Sequence, residues 1–454
     1  MRTQTQPAPL WQNWARTARA TPRRFASPSS EAEVAALVAA EAAEGGQVRV
    51  VGAGHSFTPA MVSEGLLLQL DALDSLEWLG PPEADGSRLV RVGAGIRLRA
   101  LCRVLAEHGL ALENMGDIDV QSVAGAISTG THGTGATLRG LADQVRGVRL
   151  VGATGEVVEA DQTRHRELFE VARLGLGSVG VLTAVTLRCV PAFSLTADER
   201  PRPLGAVLEA LDDEAGPVHA NDHFEFYWFP YTDIVLTKAN NRAGAAGPLS
   251  PVRRVLDDEI LSNTVFEATN RLCTGVKALT PKVNWVAARA LSARRYTAPS
   301  HEVFATPRRV RFREMEYALP VHAVVPALRA VNTWLRHTGE TVPFPVEVRF
   351  AAADDVWLST AYGRDTAYVA VHQYHRLPFA RYFRAVEDIM RSHDGRPHWG
   401  KMHRRRAADL APVYPRFDDA ARVRRAADPE GLFANEYTDR VLGAAPGHLG
   451  ARGH

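Results

Sequence analysis

Val48–Pro59 reads VRVVGAGHSFTP, a strand that runs into a glycine turn with a histidine directly behind it. The β-branched Val48, Val50 and Val51 carry the strand signal, and Gly52 and Gly54 around Ala53 carry the turn signal. A side chain leaving such a turn can point into a ligand site, which singles out His55. The dinucleotide fingerprint of a Rossmann domain needs a third glycine where Phe57 stands, and a helix where Pro59 interrupts the segment. A second string, GLGSVG with Gly175, Gly177 and Gly180, has the fingerprint's letters. It follows a helix-like run (Arg166–Arg173) and precedes a strand-like one (Val181–Val190), so its element order is reversed. Both strings argue for a binding loop and against a nicotinamide-binding Rossmann domain.

Working outward, SSEAEVAALVAAEAAEGG starts as a helix, with Ser30 as cap and Glu33 three residues on, and stops at Gly45 and Gly46. Strands at Val48–Val51, Leu66–Leu70, Leu89–Val92, Val145–Val151, Glu156–Ala160 and Val181–Val190, with a helix over Arg97–His108, predict a mixed α+β domain ending near Pro191. HFEFYWFPY (His223–Tyr231) opens a second region, with Trp228 expected in its core. A flexible GAAGPLSP connection (Gly244–Pro251) and a long helical segment to about Arg295 come next. Strands at Arg309–Tyr317, Pro345–Phe350 and Ala367–Tyr374, and a helix over Val321–Thr338, complete a second α+β domain to about residue 395.

The 454 residues exceed one ordinary core, so at least two domains are expected, and 46% apolar with 23% charged residues is a globular composition. Formal net charge is +2, from 53 basic and 51 acidic residues, which leaves no whole-chain electrostatic footprint for nucleic acid or an anionic membrane. Cys102, Cys189 and Cys273 lie far apart in apolar or helical contexts, suggesting neither a disulfide framework nor a metal knuckle and pointing to a reduced, cytoplasmic protein. No apolar run approaches the ~20 residues that span a bilayer, and both termini read as loose.

Three further stretches can carry chemistry. Asn114–Gly135 packs five glycines with hydroxyl and amide groups, so backbone N–H groups can approach a polyanion such as a pyrophosphate. In FPVEVRF, strand alternation puts Glu347 and Arg349 on one face and Val346, Val348 and Phe350 on the other. The next strand, YVAVHQY, sets Tyr368, Ala370, His372 and Tyr374 together by the same rule, so two neighbouring strands can offer polar faces to one cleft. PHWGKMH supplies His398, Lys401 and His403 around Gly400. A metal is not expected there, because His398 and His403 lack a third ligand nearby. Arg404, Arg405 and Arg406 read as a solvated face.

GAGHSFTP, QSVAGAISTGTHGTG, LGLGSVGVLT, REMEYALP, FPVEVRF, PHWGKMH and DPEGLFANEYTDRVLG, in that order, span nearly the whole chain. Together they resemble the aldonolactone oxidase family, which includes gulonolactone, galactonolactone and arabinonolactone oxidases, with alditol oxidases as relatives. The resemblance implies an α+β, two-domain flavoprotein of the p-cresol methylhydroxylase (vanillyl-alcohol oxidase) type. It implies an FAD-binding domain over residues 12–191, a cap over the substrate at 192–395, and a segment, 396–454, that returns to the FAD domain. It further implies FAD bonded covalently to His55, with Gly52, Ala53, Gly54 and Ser56 along the pyrophosphate. Ser122, Gly125, Ser128, Thr129, Gly130, Thr131, His132 and Gly133 would form the opposite wall, Gly177, Gly180 and Val181 the remaining groove, and His398 a further cofactor contact. Gly116, a small residue before the IDVQSVAG loop, would open a path for molecular oxygen to the flavin.

Glu347, Arg349, His372 and Lys401 match the family's sugar-pocket positions. Hydride transfer from a carbinol carbon needs a proton acceptor, for which His372 is the expected residue, and cations for developing negative charge, for which Arg349 and Lys401 are expected. Glu347 would orient the substrate or Arg349. The implied substrate is a sugar lactone, with a polyol as the close variant. A lactone dehydrogenase using another acceptor and a non-catalytic flavin-binding protein are the alternatives.

Overall fold

A computed structural model of the chain describes residues 10–445, apart from 212, 243–245, 250–265, 291 and 307–308. Its first unit is a three-stranded parallel sheet of β1 (Arg24–Ala26), β2 (Val48–Val51) and β3 (Leu66–Gln69), in the order β1-β3-β2. Helix α1 (Glu31–Ala43) begins where the Ser30 hydroxyl accepts the Glu33 amide, and buries Val34 and Val38 against this sheet. The GAGHS turn leaves the carboxyl end of β2, the side of a parallel sheet on which ligands bind.

An antiparallel sheet follows, built from β4 (Leu76–Pro82), β5 (Arg88–Gly93), β6 (Val145–Val151), β7 (Val157–Asp161) and β8 (Val181–Pro191), in the order β7-β6-β8-β5-β4. Its core takes in α2 (Leu98–Glu107), α3 (Val123–Ser128) and α4 (Arg166–Arg173), together with α9 (Phe417–Ala427) and α10 (Glu436–Leu442) of the carboxyl-terminal segment. Strand β8 pairs on both sides, and all but two of its eleven residues are buried.

The chain passes at Ser194 into an eight-stranded antiparallel sheet. Its strands are β9 (Ser194–Pro203), β10 (His223–Trp228), β11 (Ile234–Asn241), β12 (Arg294–Pro299), β13 (Phe312–Pro320), β14 (Val346–Ala351), β15 (Thr366–Tyr374) and β16 (Arg396–Pro397). They lie in the order β12-β9-β11-β10-β14-β15-β13-β16. A hairpin of α5 (Phe266–Gly275) and α6 (Thr280–Ala290) lies between β11 and β12 in the chain. Helices α7 (Val324–Thr338) and α8 (Ala380–Arg391) cover the apolar face, where Val346, Val348, Phe350, Val369 and Trp228 are buried. The other face carries the alternate, polar residues.

Besides the short β1 and β16, strands β4, β9, β11 and β12 differ from the sequence reading. LEWLGPP (β4) and SLTADERPRP (β9) contain the prolines and charges of a loop. Strand β4 lies at a sheet edge, where proline costs no ladder hydrogen bond, and in β9 Glu199 is paired by Arg294. Strand β11 was masked by its polar end, Lys238–Asn241. The helical segment expected up to Arg295 stops at Ala290, because β12 begins at Arg294. The connection expected at Gly244–Pro251 lies largely outside the described residues. The three cysteines are free and buried, and no described helix is long and apolar enough to cross a membrane.

Candidate functional site

A cleft runs from the GAGHS turn to the polar face of the eight-stranded sheet. One end is a glycine wall. A side chain at Gly52 would place its Cβ 2.5 Å from the Ser122 hydroxyl, so the 52–56 turn and the loop capping α3 approach as closely as they do only because no Cβ intervenes. Gly54 and Gly177 adopt φ of +69° and +63°, the left-handed region glycine occupies without strain. Arg49, in the middle of β2, ties this end together. Buried, it donates to the carbonyls of Ala60 (2.8 Å), Gly177 (3.2 Å), Phe433 (2.6 Å) and Leu176 (2.5 Å), joining three distant segments. Asn435 adds a clasp from α10, its amide donating to the carbonyls of Pro59, Ala60 and Val62.

The other end is charged, and strand register builds it. Glu314 stands opposite His372, and Glu316 opposite Ala370. Glu347 stands opposite Ala370 and Tyr227, and Arg349 opposite Tyr368 and Glu225. Arg349 meets three carboxylates: Asp117 at 3.1 Å, Glu225 at 2.9 Å, and Glu347. Burial alone would weaken its hold on the proton, but Glu347, Asp117 and Glu225 raise its pKa well above the usual arginine value. The row continues across the sheet as Glu225–Lys238 (3.5 Å) and Glu199–Arg294 (2.6 Å), so the arginine at the cleft is the end of a buried ladder of alternating charge. Lys401 pairs with Glu314 at 2.6 Å and lies 4.0 Å from Glu316. Burial opposes its charge, yet these two acids raise its pKa. Burial likewise opposes ionisation of Glu314, but Lys401 and His372 bring it down to about 2.

Most residues predicted from sequence line this cleft. Of the turn, Gly52, Ala53, Gly54, His55 and Ser56 do. So do Gly116, Ser122, Gly125, Ser128, Thr129, Thr131 and His132, then Gly177, Gly180 and Val181, and, at the charged end, Glu347, Arg349, His398 and Lys401. Three predicted residues do not. A Cβ at Gly133 would strike Asn114 Oδ1 at 2.2 Å, so that glycine serves loop packing. Gly130, at φ +79°, faces Leu174 and Trp399 instead. His372 sits behind the wall among Phe312 and Phe344. Its Nδ1 is 3.1 Å from the Pro345 carbonyl and its Nε2 3.6 Å from Glu314 Oε1, so only through Glu314 does it reach the cleft. Arg405 is buried, correcting the solvated face expected for Arg404–Arg406.

His398 gathers with His132 and Glu316, three groups whose ligand atoms lie within 4.8 Å. This is a closer set than the His398–His403 pair weighed from spacing, and His403 instead meets the Tyr437 hydroxyl at 3.1 Å. His132 Nε2 is engaged by Glu316 at 2.8 Å, and His398 Nδ1 accepts the Gly400 amide. Burial, outweighing the pull of Glu316, lowers the His398 pKa to about 4. His55 stacks on Trp14 at 5.1 Å, and burial with Lys401 and Arg97 nearby brings it to about 4, leaving a neutral imidazole.

Sequence reasoning missed Arg49, Asp117, Gln121, Glu314 and Glu316 on the wall, and Glu225 and Lys238 behind it. FREMEYALP alternates as FPVEVRF does, so the rule that found Glu347 and Arg349 also finds Glu314 and Glu316. FAD fits the residues present. The glycine wall admits a polyanion to bare backbone, and Gln121 on its wall has a buried Oε1 with no donor among the described residues.

Comparison with known proteins gives two family matches: D-arabinono-1,4-lactone oxidase over residues 185–441, and an FAD binding domain over residues 22–161. An L-gulono-1,4-lactone dehydrogenase of Mycobacterium tuberculosis is 41% identical, over 96% of this chain and 100% of that one. An L-gulonolactone oxidase of Bos taurus is 31% identical over 95% of this chain and 98% of its own length. An alditol oxidase of a Streptomyces species is 34% identical over the same shares, 95% and 98%. Among solved structures, cholesterol oxidase from B. sterolicum superposes with a TM-score of 0.77 at 19% identity, covering 95% of this chain and 96% of that one. The fold is the two-domain p-cresol methylhydroxylase type.

Proposed function

The chain belongs to the D-arabinono-1,4-lactone oxidase family, and from that premise we propose that it is an FAD-dependent oxidase of an aldono-1,4-lactone, of the L-gulono or D-arabinono class. The observation that carries this reading is the charged end of the cleft: Glu347, Arg349 and Lys401 converge with Glu314 and Glu316 beside the glycine wall. A polyhydroxylated, uncharged substrate suits a wall of paired acids and bases, because each pair offers both donors and acceptors.

Bound FAD would supply the acceptor for a hydride from the carbinol carbon. The residues of this chain position the substrate and take its hydroxyl proton. Arg349 is fixed by three carboxylates and offers a rigid fork to an oxygen that gains negative charge. Lys401, held by Glu314, brings a second cation to the same end of the cleft. Glu347 fixes Arg349 and accepts from substrate hydroxyls. His372 is the base reached through Glu314, whose carboxylate stands 3.6 Å from its Nε2. Covalent attachment of FAD through His55 is supported by its neutral ring and by the lack of any hydrogen bond from it within the described chain. Molecular oxygen is the proposed acceptor because Gly116, on the wall of the cleft, puts no side chain between the wall and the ring site. The free, buried cysteines favour a reducing, cytoplasmic location.

Dehydrogenase activity is the second reading, favoured by the name of the mycobacterial relative. Anaerobic titration of the yellow protein with an aldonolactone and, separately, with xylitol tests the proposal. Bleaching by the lactone is the expected result, bleaching by xylitol alone moves the protein to the alditol branch, and no bleaching by either overturns the reading. Readmitting air then separates oxidase from dehydrogenase. Colour retained on acid-precipitated protein is expected, and its release would exclude the covalent bond.

A further inference from the structure

The α5–α6 hairpin is amphipathic in the inverse sense. Its inner side is anchored by polar or small residues: Asn270, Cys273, Thr280, Asn284 and Ala288 are all buried. Asn284 donates to the carbonyls of Pro230 and Val342, both at 3.0 Å, and so pins α6 to the sheet domain. Its outer side is apolar. Of seven large apolar side chains that stand exposed among the described residues, four lie here: Leu272, Val276, Trp285 and Val286, between 48% and 58% exposed. A helix packed on a globular core ordinarily buries such residues and exposes its amides.

Charge on this hairpin is one-sided as well. Residues 266–290 hold four basic side chains, Arg271, Lys277, Lys282 and Arg289, and one acid, Glu267. Glu267 is spent on Arg271 at 2.9 Å and on the Tyr374 hydroxyl. Lys277 and Lys282 have no ion pair with any described residue, and the Arg289 guanidinium lies over the Trp285 ring at 3.9 Å. The local net charge of +3 is invisible in the whole-chain balance of +2, which suggested no membrane footprint.

We propose that this face docks on an anionic lipid bilayer surface. Apolar side chains with a tryptophan among them enter the headgroup boundary, and long cationic side chains snorkel to lipid phosphates; exposed leucine, valine and tryptophan beside lysine and arginine is that pattern. Charge complementarity favours anionic lipid over a zwitterionic surface. The hairpin is also braced on the cleft: Phe266 meets Phe344 at 4.7 Å, and Phe344 meets Phe312, which lines the cleft, at 5.5 Å.

Co-sedimentation of the holoprotein with phosphatidylglycerol and with phosphatidylcholine vesicles tests this. Binding to the anionic vesicles that weakens with added salt is expected, with the Trp285 contribution to emission, isolated by difference from Trp285→Phe, moving to the blue. Lys277→Glu with Lys282→Glu should lower partitioning by roughly 25-fold or more, about fivefold for each cation removed. Val286→Ser should weaken it while circular dichroism and flavin absorbance stay unchanged. No binding to anionic vesicles overturns the proposal, as does equal binding to both vesicles unaffected by the charge reversals. A salt-resistant dimer broken by Trp285→Ala would overturn it too, making the face a self-association surface.

Discussion

Arg349 shows how much one side chain can be asked to do. Its guanidinium meets Asp117, Glu225 and Glu347 at once, a planar arrangement that an ammonium cannot reproduce. Arg349→Lys should therefore keep the charge and lose the fork, lowering kcat/KM by about a hundredfold, or ~2.7 kcal/mol of transition-state stabilisation. Steady-state kinetics on variant protein with normal flavin content checks this, and an unchanged kcat/KM would remove Arg349 from substrate positioning. Gly116 carries a different load. An added Cβ would lie 3.0 Å from Thr131 Cγ2, a contact that a few tenths of an ångström of movement relieves, so Gly116→Ala should fold. The same methyl narrows the wall, and reoxidation by oxygen should slow roughly tenfold, ~1.4 kcal/mol, while anaerobic bleaching by substrate is retained. Stopped-flow reoxidation measures it; an unaltered oxygen rate would detach Gly116 from acceptor choice.

At the scale of elements, the N-cap of α10 ties the carboxyl-terminal segment to the loop that follows the 52–56 turn. Asn435 caps the helix by accepting the Thr438 amide, and the same side chain donates to three carbonyls of the 59–62 loop. Asn435→Ala removes a cap and leaves buried carbonyls without a donor, which should cost about 2–4 kcal/mol. Thermal unfolding of the holoprotein should show a lower midpoint; an unmoved midpoint would mean Arg49 alone holds the loop. Alternation made β14 and β15 legible in advance, because one face is apolar and the other carries the polar residues. It could not reveal β9, whose apolar residues end at Ala197 and whose buried Glu199 depends on Arg294 of β12, nor the Arg49 staple, whose partners are carbonyls from segments more than a hundred residues away. His372 was read onto the right strand face, yet which neighbour stands between it and the cleft depends on the register with β13. That register is a tertiary property.

The whole molecule buries its charges in two kinds of environment, and acid should expose them in sequence. His398 and His403 are held neutral, His398 with a pKa of about 4 and His403 well below its usual value, burial being the main cause for both. In the unfolded chain they protonate near pH 6.5. From there down to about 4 the unfolded state binds more protons than the native one, so stability falls as pH falls. Glu314 acts next. Its native pKa of about 2 is below the ordinary carboxylate value because Lys401 and His372 outweigh burial, so its stabilisation is complete above about pH 4.5 and is lost as pH drops towards 2. Replacing His398 by Asn removes one titrating group from the first interval. The unfolding midpoint of His398→Asn should accordingly fall less steeply than wild type between pH 6.5 and 4, a difference of at most ~3 kcal/mol for a shift of this size, and run parallel to it below pH 4. Glu314→Gln should do the reverse, parallel above pH 4.5 and converging on wild type below it. Urea or thermal midpoints across this range, read by circular dichroism, distinguish the two intervals. Identical slopes for all three proteins would place the acid sensitivity in surface charges and not in the cleft.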